Sequence, residues 1–294
     1  MNSKKRAKYA YLFLSPFIII FLVFSVYPIF YSLVLSFGDM DALTGNFKFV
    51  GLENYKRLFT SEFFYKSFLN TFVIWIMSIV PQLTIAFVLS LMLNNKWLKG
   101  RFLLRNLYYF PNLVTPVTIG LLFGSMFSYP GGTVNLLLNT LGLTAVDFEH
   151  SPFLAQVVVS IAICWKNFGY NIIYFTAGLN SIPEDVFEAA EVDGANAWHR
   201  TTKIVIPMMR PMLIYVMITS IIGGLQIFDE AKMVFKSLAE GNSSLTTMVK
   251  YLYDSAFVRF QFGYGAACAF GIFIVISVFS VISLLATREK KEGR

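Results

Sequence analysis

The sequence predicts an all-α integral membrane protein with six spans, and three observations carry that prediction. First, 56% of its 294 residues are apolar and only 14% are charged, against roughly 25% charged in a soluble domain. Second, charge-free runs are long enough to cross a bilayer. Tyr9 to Gly38 covers 30 positions and Ser67 to Asn95 covers 29, where about 20 residues suffice for a helical span. Third, Lys and Arg flank these runs instead of gathering into one patch, so the net charge of +7 is a topology signal and not a nucleic-acid surface.

The elements follow in order. Four cations between Met1 and Lys8 precede the first span, about residues 10–37. It is too long for a secretory h-region of about 7–15 residues and has no small-residue cleavage site, so it is expected to be retained. Pro16 and Pro28 are candidate kinks. Asp39 to Lys66 is a polar connection with four cations and four anions. The second span, 67–94, holds Pro81 and ends at a basic turn of Lys96, Lys99, Arg101 and Arg105. The third, 107–128, holds Pro111, Pro116 and a Gly120–Gly124 GxxxG spacing, which is either a close helix approach or chance. Pro130-Gly131-Gly132 closes it, and the connection to His150 contains no Lys or Arg.

The fourth span, 152–179, contains Lys166. A polar loop follows at 181–210, then a short fifth span, 211–228, interrupted at Gly223-Gly224. A second balanced polar connection, Asp229 to Arg259, includes an Asn242-Ser243-Ser244 sequon expected to be a chance match. The sixth span, 260–287, precedes a charged tail. The whole of 1–294 is expected to be one transmembrane domain without repeats. Cys164 and Cys268 both fall in spans and imply no disulfide framework. His150 and His199 have no ligand cluster around them in sequence, so no metal site is expected.

Six spans put both termini on one side. That side carries 4, 4, 3 and 4 Lys or Arg in its four segments, against 4, 0 and 4 in the three connections opposite. The positive-inside bias therefore places the termini and the 181–210 loop in the cytoplasm.

That loop reads as two short helices with a break. Ser181 and Glu184 have the spacing of a capping box, and Pro183 is tolerable in a first turn. Glu184, Glu188 and Glu191 share one face, with Val186, Phe187 and Ala190 on another. Gly194 suits a left-handed C-terminal cap, and a second helix is expected to restart near Asn196. The stretch resembles the EAA signature of permease subunits in binding-protein-dependent ABC importers. Glu188, Ala189, Ala190, Gly194, Ile204 and Pro207 match its spacing, and Asp193 and Ala195 fit the Asp-Gly-Ala form of the carbohydrate branch. Thr201 and Ile206 depart from the pattern, the first where that branch has an aromatic and the second where it has Leu. Tyr27-Pro28, Ser36-Phe37, Phe49 to Tyr55, Asn70-Thr71, Pro111 and Gly263-Tyr264-Gly265 are similar to the same branch, in its first type of permease subunit.

The resemblance implies a six-helix permease fold in a bacterial inner or plasma membrane. It also implies a second homologous permease subunit, two ATPase subunits, an extracellular solute-binding protein and a sugar or oligosaccharide as cargo. Under it, Glu188, Ala189, Ala190, Asp193, Gly194, Ala195, Ile204 and Pro207 couple to an ATPase. The chain has no Gly-Lys pair and hence no phosphate-cradling loop, and no nucleophile–base constellation. It is not expected to be an enzyme or to bind a cofactor, and ATP and Mg belong on the partner ATPases. The alternatives are a permease for a non-sugar solute and a self-sufficient secondary transporter.

Ion coupling usually requires intramembrane carboxylates, and every Asp and Glu falls outside the six runs. Lys166 either snorkels in a structural role or lines the path. Ser160, Cys164, Asn167, Asn171, Tyr174 and Gly178 form one face of the fourth span. Amides pair with sugar hydroxyls and rings cover a pyranose face, so Asn167, Asn171 and Tyr174, with Gln226 in the fifth span, are the candidate path. Bonding to a partner span is the competing role.

Overall fold

The computed structural model describes residues 3–40, 44–95, 98–235 and 243–287. Lys96 of the basic turn, Asn242 of the sequon and the tail from Arg288 lie outside the described residues, as do the side chains of the amino-terminal cations.

The chain is helical nearly throughout, because a backbone in lipid must satisfy its own hydrogen bonds. α1 (Ser3–Phe21) runs through a π turn at Leu22–Val26 into α2 (Tyr27–Ser36). A two-stranded antiparallel hairpin, β1 (Gly38–Met40) with β2 (Phe47–Phe49), follows and adds a small strand element to the all-α expectation. Next come α3 (Glu53–Thr60), α4 (Glu62–Leu93), α5 (Arg101–Leu113), α6 (Pro116–Met126), α7 (Thr133–Thr140) and α8 (Pro152–Asn180). The loop region holds α9 (Glu184–Val192), α10 (Ala197–Arg200) and α11 (Ile206–Met208). α12 (Arg210–Gly224), α13 (Asp229–Met233), α14 (Met248–Tyr253) and α15 (Phe262–Thr287) complete it.

Among the described residues five helical segments are long and apolar enough to cross a membrane: Tyr11–Ser36, Glu62–Leu93, Pro152–Asn180, Arg210–Met233 and Phe262–Thr287. The pair α5 and α6 makes a sixth if counted as one span, bent by 91°. The bend has a local cause. Pro116 follows Thr115, whose backbone is extended, as the residue before a proline prefers. The Thr115 hydroxyl then caps α6 by accepting from the Thr118 N–H at 3.3 Å. Pro16 and Pro81 sit inside α1 and α4.

The chain divides into two compact units: 1–62 with 251–274, and 63–250 with 275–294. In the first, the Asn54 side-chain amide donates to the carbonyls of Ser36 and Gly38, at 3.1 and 2.8 Å. Arg57 lies 4.1 Å from the centre of the Tyr264 ring and donates to Gln261 Oε1 at 3.0 Å. Tyr251 and Tyr264 share a hydroxyl hydrogen bond of 2.8 Å. These contacts tie the polar connection after α2 to the start of α15.

The second unit holds the site and is built around α4, α8 and α12. The GxxxG spacing is a close approach after all, though to a short helix and not to a span. A Cβ at Gly120 or Gly124 would collide with Met233 or with the Val234 carbonyl. The stretch 243–248 is buried at Leu245, Thr247 and Met248, so side chains must satisfy its free backbone groups. The Gln156 amide donates to Ser244 O at 3.0 Å and Asn70 Oδ1 at 3.1 Å, Asn70 donates to Thr246 O at 3.2 Å, and the Thr71 hydroxyl accepts from the Met248 N–H at 2.9 Å.

Gln156→Leu removes both of its donated bonds from a buried site. We expect a loss of about 1–3 kcal/mol, read as a lower thermal midpoint. Cys164 and Cys268 are free and buried, so a thiol-reactive dye that fluoresces on unfolding measures it without an added label. An unchanged midpoint would show that this network does not hold the segment.

Candidate functional site

Two features of the second unit carry chemistry: the 181–210 loop and a cleft between α8, α12 and α13. The loop is fixed from inside by a buried apolar cluster. Ile182, Val205 and Met209 pack with Ala86 and Leu93 of α4, Ile172, Phe175 and Leu179 of α8, and Val216 of α12. Val186 and Phe187 of α9 pack against this cluster from the side. Ala190 is buried, whereas Glu188, Ala189 and Glu191 are exposed. The alanine pair thus has one methyl turned into the protein and one turned out.

The break in the loop is a Schellman cap. Gly194 has φ +73°. Its N–H donates to Glu191 O at 3.1 Å, and the Ala195 N–H donates to Ala190 O at 2.9 Å. The next helix starts at Asn196, whose side chain accepts from the His199 N–H at 2.8 Å. Thr201 stands at the entry of a π turn, Thr201–Val205. Its hydroxyl donates to Ala197 O, and that of Thr202 to Trp198 O, each at 2.8 Å.

The expected capping box does not form. Pro183 is the N-cap of α9 with no side-chain cap bond, and the Ser181 hydroxyl instead donates back to Gly178 O at 2.7 Å. Proline at 183 disfavours a helical backbone at Ile182, so the helix starts at Glu184 and Ser181 stands two residues ahead of the N-cap. A cleft of ≈ 370 Å³ opens beneath the cap, lined by Ala190, Asp193, Gly194, Ala195, His199 and Ile204 among others. Val192 and Trp198, 88% and 77% exposed, are the most exposed of the loop's large apolar side chains. Pro207 is exposed and Ile204 half-buried. The buried anchors are Val205 and Met209, which the signature spacing did not single out.

The other cleft, also ≈ 370 Å³, brings Asn167, Asn171 and Gln226 together. It is further lined by Trp75, Gln82, Tyr170, Lys166, Asp229 and Glu230. Tyr174 is not in this wall. Its hydroxyl pairs with that of Tyr170 at 2.5 Å, one turn toward the loop. Ser160 bonds Gln156 O at 2.7 Å and Ile74 O at 3.2 Å, which is the structural role. Asn167 donates to Ile163 O at 3.0 Å. Asn171 is 3% exposed and its Nδ2 has no hydrogen-bond partner.

Lys166 neither snorkels nor stands alone. Its Nζ donates to Glu230 Oε1 at 2.9 Å, with the two side chains 16% and 11% exposed. The charge-free run placed the fifth span's end at Phe228. The helical segment instead extends to Met233 after a break at Leu225–Phe228, and it carries Asp229 and Glu230 into the cleft wall. The 64-residue separation of the pair hid it, because no sequence periodicity links two different spans. Among the described residues no group of three His, Cys, Asp or Glu could hold a metal ion.

Comparison with known proteins places the chain in a family. The chain is 34% identical to the arabinooligosaccharides transport system permease protein AraP of Bacillus subtilis (strain 168), over 99% of this chain and 92% of that protein. It is 35% identical to the lactose transport system permease protein LacF of Rhizobium radiobacter, over 96% and 94%. A chain in the crystal structure of a bacterial alginate ABC transporter, in complex with an alginate pentasaccharide-bound periplasmic protein, shares the fold. Its TM-score is 0.84 at 23% identity, covering 97% of this chain and 95% of that one. Residues 59–290 match one family model, and the chain is a multi-pass membrane protein that belongs to the binding-protein-dependent transport system inner membrane component family.

Proposed function

We propose that this chain is one permease subunit of an ATP-driven importer that moves a sugar or oligosaccharide into the cytoplasm, with the 181–210 loop as its contact to a separate ATPase. The carrying observation is the two-sided build of the loop. Ile182, Val205 and Met209 lock it to the spans, while Val192 and Trp198 expose apolar surface that its own fold does not use. Glu188 stands exposed on the same helix, free to meet a cationic or donor group of the ATPase. The partners are a second permease chain, two ATPase subunits that hold ATP and Mg, and an extracellular solute-binding protein. The termini and the loop face the cytoplasm, in keeping with the cation bias. ATP closing the ATPase dimer draws two such loops together, and the rigid connection into α8 and α12 passes that motion to the spans.

The names of the relatives support a saccharide cargo, and so does the cleft, whose amides and rings at Asn167, Asn171, Gln226, Trp75 and Tyr170 are the groups a sugar requires. The test is reconstitution. Uptake of labelled arabinooligosaccharide in proteoliposomes should require ATP, the ATPase and the binding protein together. Uptake by this chain alone, driven by an ion gradient, would overturn the assignment.

Within the cleft, Asn171→Leu keeps the volume and removes the unpartnered donor. We expect uptake to fall about tenfold, the equivalent of one hydrogen bond of about 1.4 kcal/mol, with the amount of protein in the membrane unchanged. Full uptake by the variant would remove Asn171 from the path.

A further inference from the structure

We propose that the Lys166–Glu230 ion pair sets the charge selectivity of the cleft, so that it accepts uncharged oligosaccharides and rejects those bearing carboxylates. The proposal rests on the reading of this cleft as the solute path and names the class of solute.

Among the described residues three charged side chains line the cleft: Lys166, Asp229 and Glu230. Among the described residues Lys166 is its single cation, and that cation is spoken for by Glu230 at 2.9 Å in a largely water-excluded position. With Asp229 added, the wall carries a formal charge of −1 from these groups. A carboxylate entering from water gives up its hydration and meets no free cation, which is unfavourable at any reasonable effective dielectric. A neutral sugar faces no such penalty. Its hydroxyls can accept from the Asn171 amide, which has no partner of its own, and exchange bonds with Gln82, Asn167 and Gln226.

The position of Glu230 suits this role. It sits on the short helix after the Leu225–Phe228 break, where it reaches α8 from another span. Gly120 and Gly124 pack so closely on that helix that it has little room to withdraw the carboxylate. Glu230 therefore keeps the lysine occupied. Without it, the ammonium would be the one free positive charge in the wall and a ready partner for a uronate.

The experiment measures direct sugar binding to the complete permease–ATPase complex in lipid nanodiscs, without the solute-binding protein, by calorimetry and saturation-transfer NMR. The neutral probes are arabinotriose, maltotriose and lactose, and the acidic probe is trigalacturonate. The wild-type complex should bind at least one neutral probe, and at least about tenfold more tightly than trigalacturonate. Glu230→Gln should shift that ratio toward the acidic probe by about tenfold or more, with a salt dependence the wild type lacks. Two further variants guard against misfolding. Lys166→Met with Glu230→Gln removes both charges and should keep the neutral preference, and Lys166→Glu with Glu230→Lys restores the pair reversed and should do the same.

Equal affinity of the wild type for both classes, or a ratio that Glu230→Gln leaves unmoved, would overturn the charge assignment while leaving the cleft as the path. Absence of binding by every probe, with Asn171→Leu also without effect on uptake, would overturn the path reading and the charge assignment with it.

Discussion

Gly194→Pro should reduce solute uptake to below about a tenth of the wild-type rate while the chain accumulates in the membrane at its normal level. The backbone at 194 is left-handed, with φ +73°, and proline is confined to φ near −65°. The same substitution deletes the N–H that donates to Glu191 O. The Schellman cap then cannot close, the chain after Val192 leaves in another direction, and the second short helix no longer sits where Val205 and Met209 anchor it. Insertion depends on the apolar runs, which are untouched. Gly194→Ala should be graded between the two, because alanine at positive φ costs only about 1–2 kcal/mol and the site has open space for a methyl group. Glu188→Lys tests the same contact by charge. Its side chain is exposed, so folding should be indifferent, while coupling to an ATPase should fail. Uptake per membrane-inserted chain, with ATP hydrolysis measured in parallel, gives the readout. Wild-type uptake in Gly194→Pro would sink the view that this turn transmits the motion.

Gly169→Val should destabilise the membrane domain by about 3 kcal/mol or more, in the range of severe overpacking. A Cβ at Gly169 would overlap the Tyr108 carbonyl and approach Tyr109 Cα, both backbone. No flexible side chain is available to yield, so α5 and α8 must separate. That shift would also break the Asn112 to Asn167 contact between the same helices and displace Lys166 and Asn171, which flank Gly169 on α8. We expect a lower unfolding temperature by thiol-dye fluorescence and a loss of uptake beyond the loss of protein. Ile161→Val, on an exposed part of α8, is the control and should change neither. An unaltered midpoint in Gly169→Val would mean that the two helices are not pressed together at this point.

Much of the fold was legible because lipid leaves the chain few options. Long apolar runs bounded by Lys and Arg have to be helices, and the proline positions foretold irregularities without their size. Pro116 gave no hint that α5 and α6 meet at 91°. The loop was legible in its cap, since a positive φ after a short helix selects glycine, and in its restart at Asn196. It was misread at Ser181, because a local spacing rule competed with the bias against helix that Pro183 imposes on Ile182. The polar face of α8 was read as one stripe, yet it divides. Ser160 is consumed by backbone carbonyls, Asn167 and Asn171 reach the cleft, and Tyr174 joins a cluster with Tyr170 and Tyr215.

The amino-acid sequence by itself determined the lipid surroundings, the long apolar helices, their cation bias and the glycine that caps the first loop helix, because hydrophobic length, charge placement and glycine positions are local properties of a chain. Only the tertiary structure decided which polar groups share a wall. Lys166 and Glu230 meet, Gly124 admits the Val234 carbonyl, and Val205 anchors the loop because different helices pack together. Such contacts depend on crossing geometry, which no periodicity within one helix encodes.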